Sequence, residues 1–473
     1  MKKRKAKIVC TIGPASGSRD ILFTLIREGM DVARLNFSHG SHEFHKKTVK
    51  LIREGSRKYG RPVTILQDLQ GIKIRVGDVR NGAVKITRGA EISLFPGEGT
   101  GDEKNMFVSY PLLLKDARKG DTVLIDDGLI QLEVTGKSRK ALKAKVVEGG
   151  ILTDKKGVNF PGMRTSQESF TPKDRRDLAF GLGLGVDYVA VSFVGKAADI
   201  TSVRDWLNEK GEDIPIIAKI EKREALDNIG SILEASDGIM VARGDLGVEV
   251  PAEEVPLIQK DLIGRANRKG KLVITATQML ESMKDHLRPT RAEATDVANA
   301  VIDGTDALML SVETAMGAYP VASYKMMDKI IRHTERTQTI SSSYERGNSY
   351  AEAIADAATG AALDIGARVL VAFTKSGFTA GLVSKFRPEV PVIAFTPDRR
   401  VMSRLPFYWG VIPKFMKPLA HTDQLVREVE KVLLAEKIVR KNDRIVLIAS
   451  SPLSTKGKTN FMKLYEIGEE ELN

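Results

Sequence analysis

The sequence predicts an α/β protein: a (β/α)8 barrel with an inserted all-β lid domain, followed by a C-terminal α/β domain. Three observations predict it. Eight short apolar runs alternate with helical stretches over the first two-thirds of the chain. One interval between runs exceeds a hundred residues and is filled by short strands and Gly-rich turns. A linker-like stretch around Tyr344, SSSYERGNS, precedes a new set of strand patterns.

The eight runs are Lys7–Ile12, Asp31–Asn36, Val63–Asp68, Val186–Phe193, Ile214–Ile220, Asp237–Ala242, Leu272–Thr277 and Asp306–Ser311. They are almost continuously apolar, as parallel strands buried on both faces are. Helical patterns cover Asp20–Glu28, His42–Lys58, Asp174–Gly181, Asp199–Lys210, Arg223–Ala235, Glu254–Lys269 and Arg291–Asp303. Eight strand–helix units in one run predict a closed TIM-type barrel. The long interval falls after the third strand. Its segments IRVGDVRNGAVKI, AEISLFPGEG, GDTVLIDDGLIQLEV and ALKAKVVEGG read as a small β module. It leaves from a strand's C-terminal end, the face that carries the active site in such barrels, so a lid role is expected. In the last region ARVLVAF, VPVIAF and DRIVLIAS read as strands and Asp423–Glu436 as a helix. The expected division is 1–69 and 166–343 for the barrel, 70–165 for the lid and 344–473 for the C-terminal domain.

Composition narrows the class. At 473 residues the chain is long enough for about three domains. It is 42% hydrophobic and 28% charged, ordinary globular values that argue against disorder. No apolar run reaches the roughly 18 residues of a membrane span. The basic start MKKRKAKIVC has no apolar h-region after it, so no secretory leader is expected. Cys10 is the only cysteine, which excludes an internal disulfide and suits a reducing, cytoplasmic setting. The net charge of +12 is spread among 61 acidic residues. With no arginine-rich arm and no zinc-finger spacing, it is read as a solvated surface with pockets for small anions, not as a nucleic-acid footprint.

Polar residues collect where the runs end. Arg34 and Asn36 close the second, with Ser38 and His39 after them; Asp68 closes the third. Lys219 and Glu221 end the fifth; Arg243, Gly244 and Asp245 follow the sixth. Thr277 ends the seventh, and Ser311 and Glu313 the eighth. Strand and helix propensity do not require this clustering, but a shared barrel mouth does. Residues two apart on a strand point the same way, so Lys219 and Glu221 face one cavity. Glu221 and Asp245 are two carboxylates suited to Mg2+, a hard octahedral cation that also needs water and substrate oxygens. Gly244 allows close backbone approach to a ligand. Taken singly, a strand-end ion pair and an ordinary βα turn would account for each feature. His39, His42 and His45 have a spacing open to metal binding, but a solvated helix start is the better reading. Trp206 and Trp409 read as packing residues.

The segments KIVCTIGPAS, MDVARLNFSHG, AKIEKREALDNIGSILEASDGIMVARGDLGVEVP, TATQMLESM and RPTRAEATDVANAVIDGTDALMLSVETAMGAYP resemble the signature segments of the pyruvate kinase family. The resemblance extends to GDTVLIDDGLI and KKGVNFPG in the β module and to the C-terminal domain. It implies phosphoryl transfer from phosphoenolpyruvate to ADP, giving pyruvate and ATP, the last step of glycolysis. It also implies Mg2+ held by Glu221 and Asp245, with Mn2+ able to substitute. Lys219 would stabilise the transferring phosphoryl group and the enolate. Arg34 would contact phosphate, Gly244, Asp245 and Thr277 substrate, and Thr277 the face where the enolate is protonated. Asn36, His39, Arg75 and Lys156 would contact nucleotide. Asn36, Ser38, Asp68 and Leu69 would form a monovalent-cation site. A homotetramer and a phosphorylated effector are further family expectations. The effector phosphate would sit at Thr374, Lys375, Ser376, Gly377 and Thr379, a Gly-containing turn after a strand.

One departure bears on chemistry. The family's Asp-Thr-Lys-Gly-Pro-Glu-Ile-Arg is here Asp68-Leu69-Gln70-Gly71-Ile72-Lys73-Ile74-Arg75. Lys73 reverses the charge of a Glu that accompanies K+ dependence, and members with Lys there resemble K+-independent enzymes. A tethered ammonium fills the role of a monovalent cation and repels K+, so Mg2+ without K+ is the expectation; a Lys73 pointing to solvent is the alternative. Val312 and Met316 replace the usual Gly and Lys, and Phe160 and Met163–Phe170 depart from the common lid-return segment. Two other classes compete with a kinase. Another Mg2+ barrel enzyme acting on an enolate would not explain the lid or Arg75 and Lys156. A non-catalytic sensor would have lost Lys219, Glu221 or Asp245.

Overall fold

The computed structural model describes residues 4–419, 421–451 and 459–469. By internal contacts the chain forms two compact units. One comprises 1–67, 180–189 and 260–473, the other 68–179 and 190–259.

Eight parallel strands close into a barrel: β1 (Lys7–Thr11), β2 (Val32–Asn36), β3 (Thr64–Asp68), β4 (Tyr188–Val191), β5 (Ile216–Ile220), β6 (Gly238–Ala242), β7 (Leu272–Ala276) and β8 (Ala307–Leu310). Each neighbours the strands before and after it in sequence, and β8 closes on β1 with Lys7 opposite Ala307. Their residues are buried throughout, apart from half-buried Asn36. That is why the sequence shows runs and not alternation.

Helix boundaries follow local chemistry. Ser18 and Ser41 accept amide hydrogen bonds at the starts of Arg19–Glu28 and His42–Tyr59, and Gly29 and Gly60 end these helices in the left-handed region. Thr290 and Glu293 form a reciprocal cap on Arg291–Ile302. Three expectations are corrected. The Arg223–Ala235 pattern breaks at Asn228 into Arg223–Asp227 and Ile229–Ala235. Arg243–Glu249, which no expected helical pattern covers, is a short helix. The seventh and eighth strands stop at Ala276 and Leu310, so Thr277 and Ser311 lie just beyond them.

The inserted module is all-β around a small core. Its six-stranded sheet includes Thr122–Ile125, Ile130–Lys137 and Leu142–Glu148. These strands alternate over their central residues: Ile130, Leu132 and Val134 face a core with Leu142, Ala144 and Val146, while Glu133, Lys143 and Lys145 face out. The C-terminal domain is a five-stranded sheet in the order β11-β10-β9-β12-β13. Its strands are β9 (Val369–Phe373), β10 (Val392–Thr396), β11 (Val411–Phe415), β12 (Arg444–Ala449) and β13 (Phe461–Glu466), the last antiparallel. Helices Tyr350–Asp364 and Thr422–Ala435 belong to its two buried clusters. Among the described residues no helix is long and apolar enough to cross a membrane.

Candidate active site

The unit formed by 68–179 and 190–259 brings together a buried cluster at the C-terminal ends of β3, β4 and β5. Lys219 Nζ lies 2.8 Å from Glu221 Oε1 and 3.4 Å from Asp68 Oδ1, and donates to Ser192 Oγ at 2.8 Å. Lys219 and Glu221 are i and i+2 at a strand end, as their shared direction requires. Glu221 is held from its other side by the Phe193 amide, which donates to Oε2 at 2.7 Å. Phe193 makes this bond from the left-handed region, at φ 55°.

Burial pushes the Glu221 carboxyl above its ordinary value; Lys219 pulls it back and the negative charge of Asp245 pushes it up again. Asp245 itself is exposed on the helix after β6 and lines a cleft with Lys73, Arg75, Phe193 and Lys222. Lys73 is only half-buried, and burial lowers its basicity, with Arg75 lowering it further. Asp245 and Glu221 act on it in the opposite sense. Lys219 lowers it as well, and the net effect of these surroundings is a basicity below the ordinary value. Arg75 donates to the Lys155 carbonyl at 2.8 Å, and Lys156 pairs with Asp126 at 2.9 Å. Asp126 and Asp127 both take positive φ in the turn before Gly128. The Leu69 carbonyl accepts from Ser192 Oγ at 2.7 Å.

Gly244 belongs to the same unit, half-buried on the helix after β6. Arg34, Asn36, Ser38, His39 and Thr277 belong to the other unit, again at barrel strand ends. Arg34, on β2, donates to Thr11 Oγ1 at 3.0 Å and is nearly buried. Asn36 Oδ1 accepts the Ser38 amide, and the Asn36 carbonyl the His39 amide, which folds this loop back on the strand. Thr277 follows β7 at φ 66°, with Gln278 also positive at 53°, and its hydroxyl donates to the Ala276 carbonyl. A β-branched residue in that region is strained, a condition that collects at functional sites. Buried Glu313 accepts the Leu280 and Ser311 amides and so ties the loops after β7 and β8.

Other candidates have ordinary partners. His45 stacks on Phe37 at 4.1 Å between centroids, and His42 on Phe180 at 4.0 Å. No group of three or more His, Cys, Asp or Glu among the described residues is placed to hold a metal by itself. Trp409 is buried against the Arg387 guanidinium, and Trp206 meets Phe170 edge-on. After β9, Thr374 Oγ1 accepts the Gly377 amide and Thr379 Oγ1 lies 2.7 Å from Thr459 Oγ1. Ser376 Oγ accepts the Phe378 amide at 3.4 Å, so all three hydroxyls of the phosphate-cradle expectation have partners within the chain, while Phe378 is 48% exposed.

Sequence reasoning missed Ser192, which touches Lys219, Asp68 and Leu69 together. Its signal was present: a polar residue closing the apolar run before Phe193, like those closing other strands.

Comparison with known proteins agrees with this geometry. Residues 3–324 match the family described as pyruvate kinase, barrel domain, and 352–465 that described as pyruvate kinase, alpha/beta domain. The chain is similar to the pyruvate kinase of Sporosarcina psychrophila, 45% identical over 474 residues, covering 98% of this chain and 81% of that one. It is as similar to that of Geobacillus stearothermophilus, 45% identical over 475 residues, covering 99% and 81%. Among solved structures, a pyruvate kinase from Cryptosporidium parvum superposes with a TM-score of 0.93 at 37% identity, covering 98% of this chain and 96% of that one.

Proposed function

The chain belongs to the pyruvate kinase family, and from that premise we propose how its own residues carry the reaction. It is a phosphotransferase of glycolysis, moving the phosphoryl group of phosphoenolpyruvate to ADP and releasing pyruvate and ATP. Such a transfer asks the protein for positioning and charge neutralisation more than for covalent help.

Lys219 supplies the central charge. Glu221, Asp68 and Ser192 fix its ammonium, so little side-chain freedom is lost when it stabilises the transferring phosphoryl group and the enolate. Arg34 contacts phosphate, oriented by Thr11. Gly244 and Thr277 contact substrate, and Thr277 marks the face on which the enolate is protonated. Arg75 and Lys156, with Asn36 and His39, contact the nucleotide. Glu221 and Asp245 fit a divalent cation, because their mutual repulsion is relieved by one and only two protein ligands leave room for substrate oxygens. Bound there, Mg2+ or Mn2+ would neutralise phosphoryl oxygens.

Lys73 takes the part of the monovalent cation otherwise expected at Asn36, Ser38, Asp68 and Leu69. Its electrostatic link to Asp245 and Glu221, and its place in the cleft, support this over a side chain directed at solvent. The turn Thr374–Thr379, including Lys375, Ser376 and Gly377, is carried forward as an effector-phosphate site. A homotetramer in the cytoplasm is the corresponding assembly and location.

The observation that carries the reading is the Lys219–Glu221–Asp68–Ser192 cluster at three barrel strand ends. A coupled assay of pyruvate formation from phosphoenolpyruvate tests it. Turnover is expected to require both ADP and a divalent cation; turnover that survives removal of Mg2+ by chelation would overturn the metal assignment.

A further inference from the structure

The β module leaves the barrel after β3 and returns at the helix Pro172–Leu184. Both connections meet one carboxylate. Asp174, 1% exposed, sits in the first turn of that helix. Its Oδ2 accepts the Thr171 amide at 3.0 Å and the Thr171 hydroxyl at 2.6 Å, while its own amide donates back to Thr171 Oγ1 at 3.1 Å. This much is a reciprocal helix cap. A cap uses one oxygen. The other, Oδ1, accepts the amides of Gln70 at 3.0 Å and Gly71 at 3.1 Å, about a hundred residues earlier.

The chain entering the module is held there with little freedom. Gly71 has φ 65°, and a Cβ on it would lie 3.1 Å from both Ser192 and the Phe193 ring. Only glycine accepts that conformation and that approach cheaply. Lys73 and Arg75 follow two and four residues later and line the cleft with Asp245. All four groups bonded to Asp174 are donors. A carboxylate satisfies them, whereas a carboxamide offers one acceptor oxygen and turns an N–H toward two of them.

We propose that Asp174 is a positioning residue. It staples the exit and return of the β module to one point, and through the Gln70 and Gly71 amides it sets where Arg75 stands for the nucleotide. The claim rests on the reading of Arg75 as a nucleotide contact. Helix capping alone would make the Thr171 contacts matter and the Gln70 and Gly71 contacts incidental.

The test uses the full-length enzyme with ADP and phosphoenolpyruvate varied separately. Asp174→Asn is expected to raise KM for ADP on the order of tenfold while KM for phosphoenolpyruvate stays within about twofold. Thr171→Val, which removes the capping hydroxyl but spares Oδ1, is expected to leave KM for ADP unchanged. An unchanged KM for ADP in Asp174→Asn overturns the proposal, as does an equal ADP defect in Thr171→Val. Arg75→Ala separates the two claims. If it leaves KM for ADP untouched, the nucleotide reading of Arg75 fails; if it raises it while Asp174→Asn does not, the staple fails. Hydrogen exchange of the wild-type enzyme decides independently of activity and of whether the variant folds. The Gln70 and Gly71 amides are expected to be protected with and without ADP, and fast exchange at both would overturn the staple.

Discussion

Two buried lysine–carboxylate clusters sit at opposite ends of barrel strands, and they are built to different rules. One surrounds Asp306, just before β8. Its Oδ2 accepts from Lys385 at 2.6 Å and its Oδ1 from Arg387 at 2.7 Å, and the Val273 amide adds a third bond at 2.9 Å. The spare donors are consumed as well. Lys385 reaches the Lys271 carbonyl at 2.6 Å, and Arg387 the Gly304 carbonyl at 2.8 Å. The other cluster surrounds Lys219 at the C-terminal ends of β3 and β5. There one ammonium serves two carboxylates, and a third, Asp245, repels Glu221 from the helix after β6.

The difference shows in the protons. Burial alone would raise the Asp306 carboxyl, but Lys385 and Arg387 hold it below its usual 3.8. Burial raises Glu221, and its surroundings leave it raised. The first cluster is closed: every charge is answered by the protein, and it fastens the C-terminal domain to the barrel strand it precedes. The second has an excess of negative charge beside a cleft. The proposed divalent cation would offset that excess. Barrels place stability at the N-terminal ends of strands and chemistry at the C-terminal ends, and here the electrostatics of each cluster says which is which.

Substitutions separate the two. Asp306→Asn leaves two buried cations short of their anion. It is expected to cost about 3–5 kcal/mol in denaturant unfolding, while the folded fraction keeps near-normal turnover. Lys219→Met is expected to do the reverse. Turnover falls at least ~100-fold, about 2.7 kcal/mol of barrier, with a smaller loss of stability than Asp306→Asn. If each variant showed the other's phenotype, the comparison would be broken. Lys73→Glu sharpens it further, because it removes the tethered cation from the open cluster. Activity in a quaternary ammonium salt is expected to drop on the order of tenfold, about 1.4 kcal/mol, and to recover when K+ is added.

The smallest effect concerns acid. Folded Asp306 binds a proton less readily than the unfolded chain does, so below its usual 3.8 the unfolded state takes up more protons. The stability it contributes is present above that value and lost as the pH falls through the lower folded value. The gap in unfolding free energy between wild type and Asp306→Asn is therefore expected to narrow as the pH falls below about 4. A gap constant over that range would mean Asp306 is not held ionised by its partners.

The sequence made the barrel legible because strands buried on both faces must be apolar throughout, and eight such runs stand out. Strand-end chemistry was legible where two polar residues shared a direction, as Lys219 and Glu221 do. It was not where the partner lies far away along the chain. Asp174 reads as a helix cap, and nothing local announces that its second oxygen holds Gln70 and Gly71. No expected helical pattern falls directly after β6, yet the segment is helical, with its apolar Leu246 buried. In the C-terminal domain β11 was missed because Pro413 interrupts it. As an edge strand it tolerates the missing amide donor. Lys73 was legible as a charge reversal, but its company of Asp245 and Glu221 needed the fold.

On the proposed reading the open cluster carries its own monovalent charge in Lys73 and lacks only the divalent one. The direct measurement is wild-type turnover at saturating Mg2+, phosphoenolpyruvate and ADP, with K+ replaced by a quaternary ammonium ion at constant ionic strength. The rate is expected to change by less than about twofold, well under the 1.4 kcal/mol that a tenfold change represents. A strong rise on adding K+ would contradict the claim and leave Lys73 without its role.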